Sequence, residues 1–158
     1  MSIVIRIEQQ QIEQLDLSPV VMVIEDLKKN QGLMAAEQKI KFEINYSLSE
    51  NDPRELSEIP EIRLWFVALD ARYGWLPFLL DWREGELARY AAMLVPHEFK
   101  RSEGIVYNPE ALDIFIMGKV FVLHEWLKNQ GITGNSRLKA MAQIFGYDLD
   151  DAFFTLLN

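Results

Sequence analysis

The sequence predicts a single α+β domain over 1–158: a small N-terminal β-sheet and a helix-rich remainder packed around a central buried helix at about 109–129. Three observations carry that reading. Two short runs in the first third alternate apolar and polar residues, the pattern of half-buried strands. A long run between Asn108-Pro109 and Gly131 repeats apolar residues at helical spacing. Between them lies Pro60 to Phe99, a block that holds three of the chain's four tryptophans.

Taken in order, residues 3–8 place Ile3, Ile5 and Ile7 on one side and Val4, Arg6 and Glu8 on the other. Ser18 is positioned to cap a helix whose first residue is Pro19, with Val20, Val23, Ile24 and Leu27 as its apolar stripe. Lys28 and Lys29 suit the negative end of that helix, and Gly32 is expected to stop it in the left-handed conformation. The second alternating run turns Ile40, Phe42, Ile44 and Tyr46 inward. A polar stretch from Ser47 to Glu58 then reads as the longest loop. Residues 60–73 fit both periods, but Pro60 at a first helical position and Gly74 as a stop favour helix. Trp75 to Leu80 reads as a buried connector or a short strand broken by Pro77. Residues 84–94 are helical and end before Pro96.

Asn108, Pro109 and Glu110 then form a helix start, and apolar residues from Leu112 to Leu127 cover most of that helix's circumference. Two short helices close the chain. Asn135 or Ser136 is expected to cap the first, and Asp148 with Asp151 the second.

Bulk properties narrow the function. A net charge of −8 argues against a nucleic-acid partner, which needs clustered cationic surface. The acid is uneven: residues 1–59 carry 6 basic against 11 acidic side chains, so a cationic partner would meet the N-terminal third. The chain has no cysteine, which removes disulfides, thiolate nucleophiles and cysteine-ligated clusters and points to a reducing compartment. Neither a signal peptide nor a membrane span is readable.

No catalytic motif stands out. His124-Glu125 begins like HExxH, but Lys128 occupies the place of the second imidazole. The segment 134–151 has the rhythm of a helix-turn-helix, yet its second helix offers acids and no base for a phosphate. Asp70, Asp81, Glu84 and Glu86 crowd the central block. A small-molecule-binding or hydrolytic enzyme using Asp70, Asp81, Glu86 or His97 therefore stands as the alternative reading.

The block itself is the stronger candidate. It contains Arg63, Arg72, Arg83 and Arg89 but no lysine, although the chain has eight of each. Arginine and tryptophan give large directional contacts and are favoured at protein interfaces, where lysine is depleted. Trp75 and Trp82 are the candidate anchors, with Arg63, Arg72, Arg83 and Arg89 as their companions toward a partner's carboxylates. The opposing reading makes all three tryptophans core, with the arginines along the rim. No cofactor and no metal site is expected.

The runs DPRELSEIPEIRLWF at 52–66, LDARYGWLPFLLDW at 69–82 and GELARYAAMLVPHEF at 85–99 resemble the cyanobacterial and chloroplast chlororespiratory reduction 6 family. The likeness continues through 107–127 and 137–154 and reaches back to LDLSPV at 15–20. The resemblance implies a soluble, non-catalytic assembly factor for the peripheral arm of the photosynthetic NADH-dehydrogenase-like complex. It further implies action on the ferredoxin-like iron–sulfur subunit, in the cyanobacterial cytosol or, for plastid counterparts, the stroma. Plant members carry a transit extension. This chain begins at a strand, which fits a cyanobacterial protein.

Overall fold

In the computed structural model, which describes residues 1–158, strands β1 (Ile3–Glu8) and β2 (Ile40–Asn45) pair in parallel, Ile3 opposite Ile40 through Glu8 opposite Asn45. Alternation sets their faces: Ile5, Ile7, Ile40 and Phe42 are buried, while Arg6 and Glu43 meet on the solvent side at 3.3 Å. Parallel neighbours need a crossover. Here it consists of α1 (Gln9–Glu13) and α2 (Ser18–Lys29), which lays Val20 and Ile24 into the core.

Two expected helix ends are corrected. Ser18 makes no cap with its side chain; its amide instead donates to the Asp16 carboxylate at 2.9 Å. The left-handed residue after α2 is Gln31, at φ 52°, and not Gly32. Gln31 and Gly32 donate back to the Lys28 and Leu27 carbonyls, so a glutamine accepts the conformation the motif requires.

The central block threads this sheet into the rest of the molecule. Helix α3 (Pro60–Arg72) begins at its proline and buries Ile62, Trp65, Phe66 and Leu69. The connector that follows is buried from Leu76 to Leu80. A short 3-10 turn over Leu76–Phe78 lets Leu80 bridge Ile40 in parallel, with the Asp81 amide donating to the Ile40 carbonyl at 2.9 Å. The connector therefore completes the edge of β2. Gly85, at φ 79°, starts α4 (Glu86–Leu94), whose Leu87, Tyr90 and Ala91 face inward.

A second sheet lies outside the N-terminal third: β3 (His97–Lys100) and β4 (Gly104–Tyr107) form an antiparallel hairpin. Helix α5 (Pro109–Asn129) then starts where Asn108 accepts the Ala111 amide at 3.1 Å. It is the longest helix, but it is not buried around its circumference. Ile116, Lys119, Val120, Leu123 and Leu127 face the core, while Ile114, Phe121 and Val122 are exposed. Helices α6 (Asn135–Ile144) and α7 (Asp151–Leu157) pack Leu138, Met141, Ala142 and Phe154 onto the same core. Their caps also differ from expectation. Gly134 precedes α6 without any side-chain cap, and Asp150, not Asp148, accepts the Phe153 amide of α7.

Candidate functional site

The three tryptophans of the 60–99 block take different roles. Trp65 is fully buried, its indole nitrogen donating to the Asp16 carbonyl at 2.8 Å. Its ring meets Phe66 edge-on at 5.0 Å, and Phe66 meets Phe42 and Tyr90 in the same manner. Trp75 is half-buried and stacked on Trp126 of α5, with 4.8 Å between centroids and 7° between planes. Trp82 is also half-buried, its indole donating to the Pro77 carbonyl at 2.7 Å.

The arginines divide two and two. Arg63 turns inward and donates to the carbonyls of Ser57 and Ala92, both at 2.9 Å, tying the turn before α3 to the end of α4. Burial pulls its pKa below the usual guanidinium value. Arg89 donates to the Phe42 carbonyl at 2.9 Å and lies 3.5 Å from Glu86. Arg72 and Arg83 are exposed and form no ion pair within the chain. Arg72 lies over the Tyr73 ring at 5.5 Å, and Tyr73 meets Trp75 edge-on at 5.6 Å. Arg72, Tyr73, Trp75 and Trp126 thus form one contiguous ladder, while Trp82 and Arg83 are sequence neighbours at the other end of the connector.

The candidate acid–base groups do not converge. Asp70 accepts the Lys119 ammonium at 2.5 Å and the Tyr90 hydroxyl at 2.9 Å. Burial, then the charge of Asp70, push the Tyr90 phenol well above its ordinary value. Asp81 accepts the Glu84 amide at 3.2 Å and so caps the short turn over Trp82–Glu84. Glu86 is buried beside Arg89, and desolvation raises its pKa despite that cation. No three histidine or acidic side chains gather as a metal would require.

Two features escaped sequence reading. The first is Ser57 Oγ, 3.0 Å from His97 Nε2, with His97 Nδ1 3.0 Å from the Val95 carbonyl and 3.4 Å from Arg63. In a Ser-His-Asp triad a carboxylate behind the histidine orients it and stabilises the imidazolium. Here a carbonyl and a guanidinium occupy that place, so the pair is built as a polar staple between the pre-α3 turn and β3. The second is a cleft of about 550 Å³ lined mostly by Leu56, Ala88, Ala92, Met93, Ile105 and Tyr107, with Arg89 at its edge. The hairpin forms one wall, held by the Tyr107 hydroxyl donating to the Ala88 carbonyl at 3.0 Å. The available signal was HEFK and GIVY on either side of a turn ending in Gly104, which sits at φ 73°.

Fold and site together define an α+β protein whose central block is mostly scaffold, with a few aromatic and arginine side chains left at the surface. A family model described as chlororespiratory reduction 6 matches residues 7–156, and the chain belongs to that family. It is a complex-assembly family, and its name connects it with biogenesis of the NADH-dehydrogenase-like complex. No solved structure matches the chain. No helix is long and apolar enough to cross a membrane.

Proposed function

We propose that this chain is a non-catalytic assembly factor for the peripheral arm of the photosynthetic NADH-dehydrogenase-like complex, binding its ferredoxin-like iron–sulfur subunit. The family match across residues 7–156 carries the reading. The surface we assign to it comprises Arg72 with Trp75, and Trp82 with Arg83. Those two guanidiniums are exposed and unpaired, so each is free to form a bidentate bond to a carboxylate of the subunit. The half-buried indoles add apolar area next to each cation. Arg63 and Arg89 act on this surface from behind, by holding the turn, α4 and β2 together. With no cysteine in the chain, the factor handles the polypeptide of the subunit and does not ligate its clusters through thiolates. Its place of action is the cyanobacterial cytosol.

Affinity capture from a cyanobacterial lysate tests this. The wild-type chain should enrich the ferredoxin-like subunit, and Arg72→Glu or Arg83→Glu should lower that enrichment at least tenfold, roughly the loss of one good charged contact. Melting temperature should stay within about 2 °C, because both side chains are exposed. Deleting the gene should deplete the assembled peripheral arm more than the membrane arm. A normal peripheral arm in the deletion strain, or capture indifferent to both reversals, would overturn the assignment.

A further inference from the structure

Gly118 stands in the middle of α5 at a position where nothing in the fold asks for a glycine. A β-carbon built there meets no atom within 4 Å, and the residue lies in regular helix. Glycine is among the poorest helix formers. What it offers in exchange is a gap where another backbone can approach closely. The face around that gap is apolar and open to solvent: Ile114 is 73% exposed, Phe121, whose ring leans on Phe153 of α7, 50%, and Val122, beside Gly74, 40%. Ile114 and Val122 lie four residues before and after Gly118, one helical turn each way, so the face is symmetric about the glycine.

Charge identifies what fits there. A two-fold axis through Gly118 lays a second α5 antiparallel on the first, glycine against glycine, with Ile114 of each copy against Val122 of the other. Lys128 lies ten residues after Gly118 and Glu110 eight before it, so the same operation brings each lysine beside the other copy's glutamate. Glu125 comes over Ala111, in the first turn of the opposing helix, where the positive end of the helix dipole lies. A parallel arrangement would instead set Glu110 against Glu110 and Lys128 against Lys128. Glu110, Glu125 and Lys128 are exposed and have no ion-pair partner within their own chain.

We propose that the outer face of α5 is a self-association surface, on which a second copy of this chain docks its own α5 antiparallel across Gly118. This goes beyond the assembly role and does not rest on it: the gap, the apolar residues and the charges it uses all belong to α5.

Sedimentation velocity on the purified full chain, from about 1 to 200 µM, should show a monomer–dimer equilibrium with Kd on the order of 10 µM, as suits a small contact. Gly118→Leu fills the gap and should weaken association at least tenfold. Gly118→Ala should weaken it as well, yet raise the melting temperature of the dilute monomer by about 2–4 °C, since alanine is the better helix former. These opposite movements separate a lost contact from a damaged fold. Lys128→Glu and Glu110→Lys should each weaken the dimer, and the two together should restore it. A chain that stays monomeric throughout this range overturns the proposal. So does a dimer indifferent to Gly118→Leu, or a charge swap that restores nothing.

Discussion

Lys119 shows how far a single residue can depart from its pattern. It interrupts an apolar run, yet its side chain is buried, its ammonium held by Asp70 at 2.5 Å and by the Gly74 carbonyl at 3.1 Å. Removing one partner leaves the other charge poorly compensated, while removing both takes away that charge but also leaves the Tyr90 hydroxyl and the Gly74 carbonyl without these partners. Lys119→Met should therefore destabilise by about 3 kcal/mol in urea unfolding, and Asp70→Leu with Lys119→Met should cost less than the two single losses added together. A double loss equal to that sum would mean the pair contributes nothing beyond its separate parts. Glu86 makes the reverse argument. Its pKa is raised by burial, so the folded state holds its proton to higher pH than the unfolded chain does. Stability from this group is then present below the ordinary value of 4.5 and is lost as pH rises through the folded pKa. Glu86→Gln should raise the urea midpoint at about pH 7 and leave it unchanged at about pH 4.

At the scale of elements, what could be read depended on whether the signal was local. Helix α5 was legible at both ends because Asn108, Pro109 and Gly131 act within one turn of themselves. Asn108→Ala should cost about 1 kcal/mol, measured by thermal unfolding, since it leaves the Ala111 amide without its side-chain acceptor. Leu17 and Gly134 precede α2 and α6 and offer no side-chain oxygen, so those helices start without the expected caps, while at α7 neighbouring aspartates offer equivalent oxygens and backbone geometry decides between them. Asp148 and Asp150 are chemically the same residue, but it is Asp150, with extended dihedrals, that accepts the Phe153 amide. The β3–β4 hairpin was illegible for another reason. Each strand has four residues, too few for alternation to show, and its anchor, Tyr107 on Ala88, is a tertiary contact. The sidedness of α5 was hidden too: apolar residues on its outer face look like core until neighbours are known.

For the whole molecule, composition could locate the block but not sort its side chains. Cores and interfaces both favour tryptophan, and arginine serves as readily inside, on carbonyls, as outside, on a partner. Trp65 and Arg63 are the inward cases, and Arg72 and Arg83 the outward ones. The same charge reversal should separate them. Arg63→Glu takes a cation from two carbonyls and sets a carboxylate beside them, so it should lose about 3 kcal/mol of stability in urea unfolding. Arg72→Glu and Arg83→Glu should leave the unfolding midpoint essentially in place. The architecture explains the contrast. Leu80 completes the edge of a sheet that begins at Ile3, so the block is framework for the N-terminal third before it is surface.

The Trp75–Trp126 stack also gives the molecule an optical signature. Two indoles in nearly parallel planes 4.8 Å apart couple their electronic transitions, and a rotation of one indole against the other within those planes turns the coupling into a paired positive and negative band in circular dichroism. Trp75 stands at the head of the connector and Trp126 near the end of α5, so the coupling reports whether those two segments are docked. Trp75→Phe should erase the paired bands while the helical spectrum persists. Followed during unfolding, the signal distinguishes α5 lifting from the connector from the loss of helix itself.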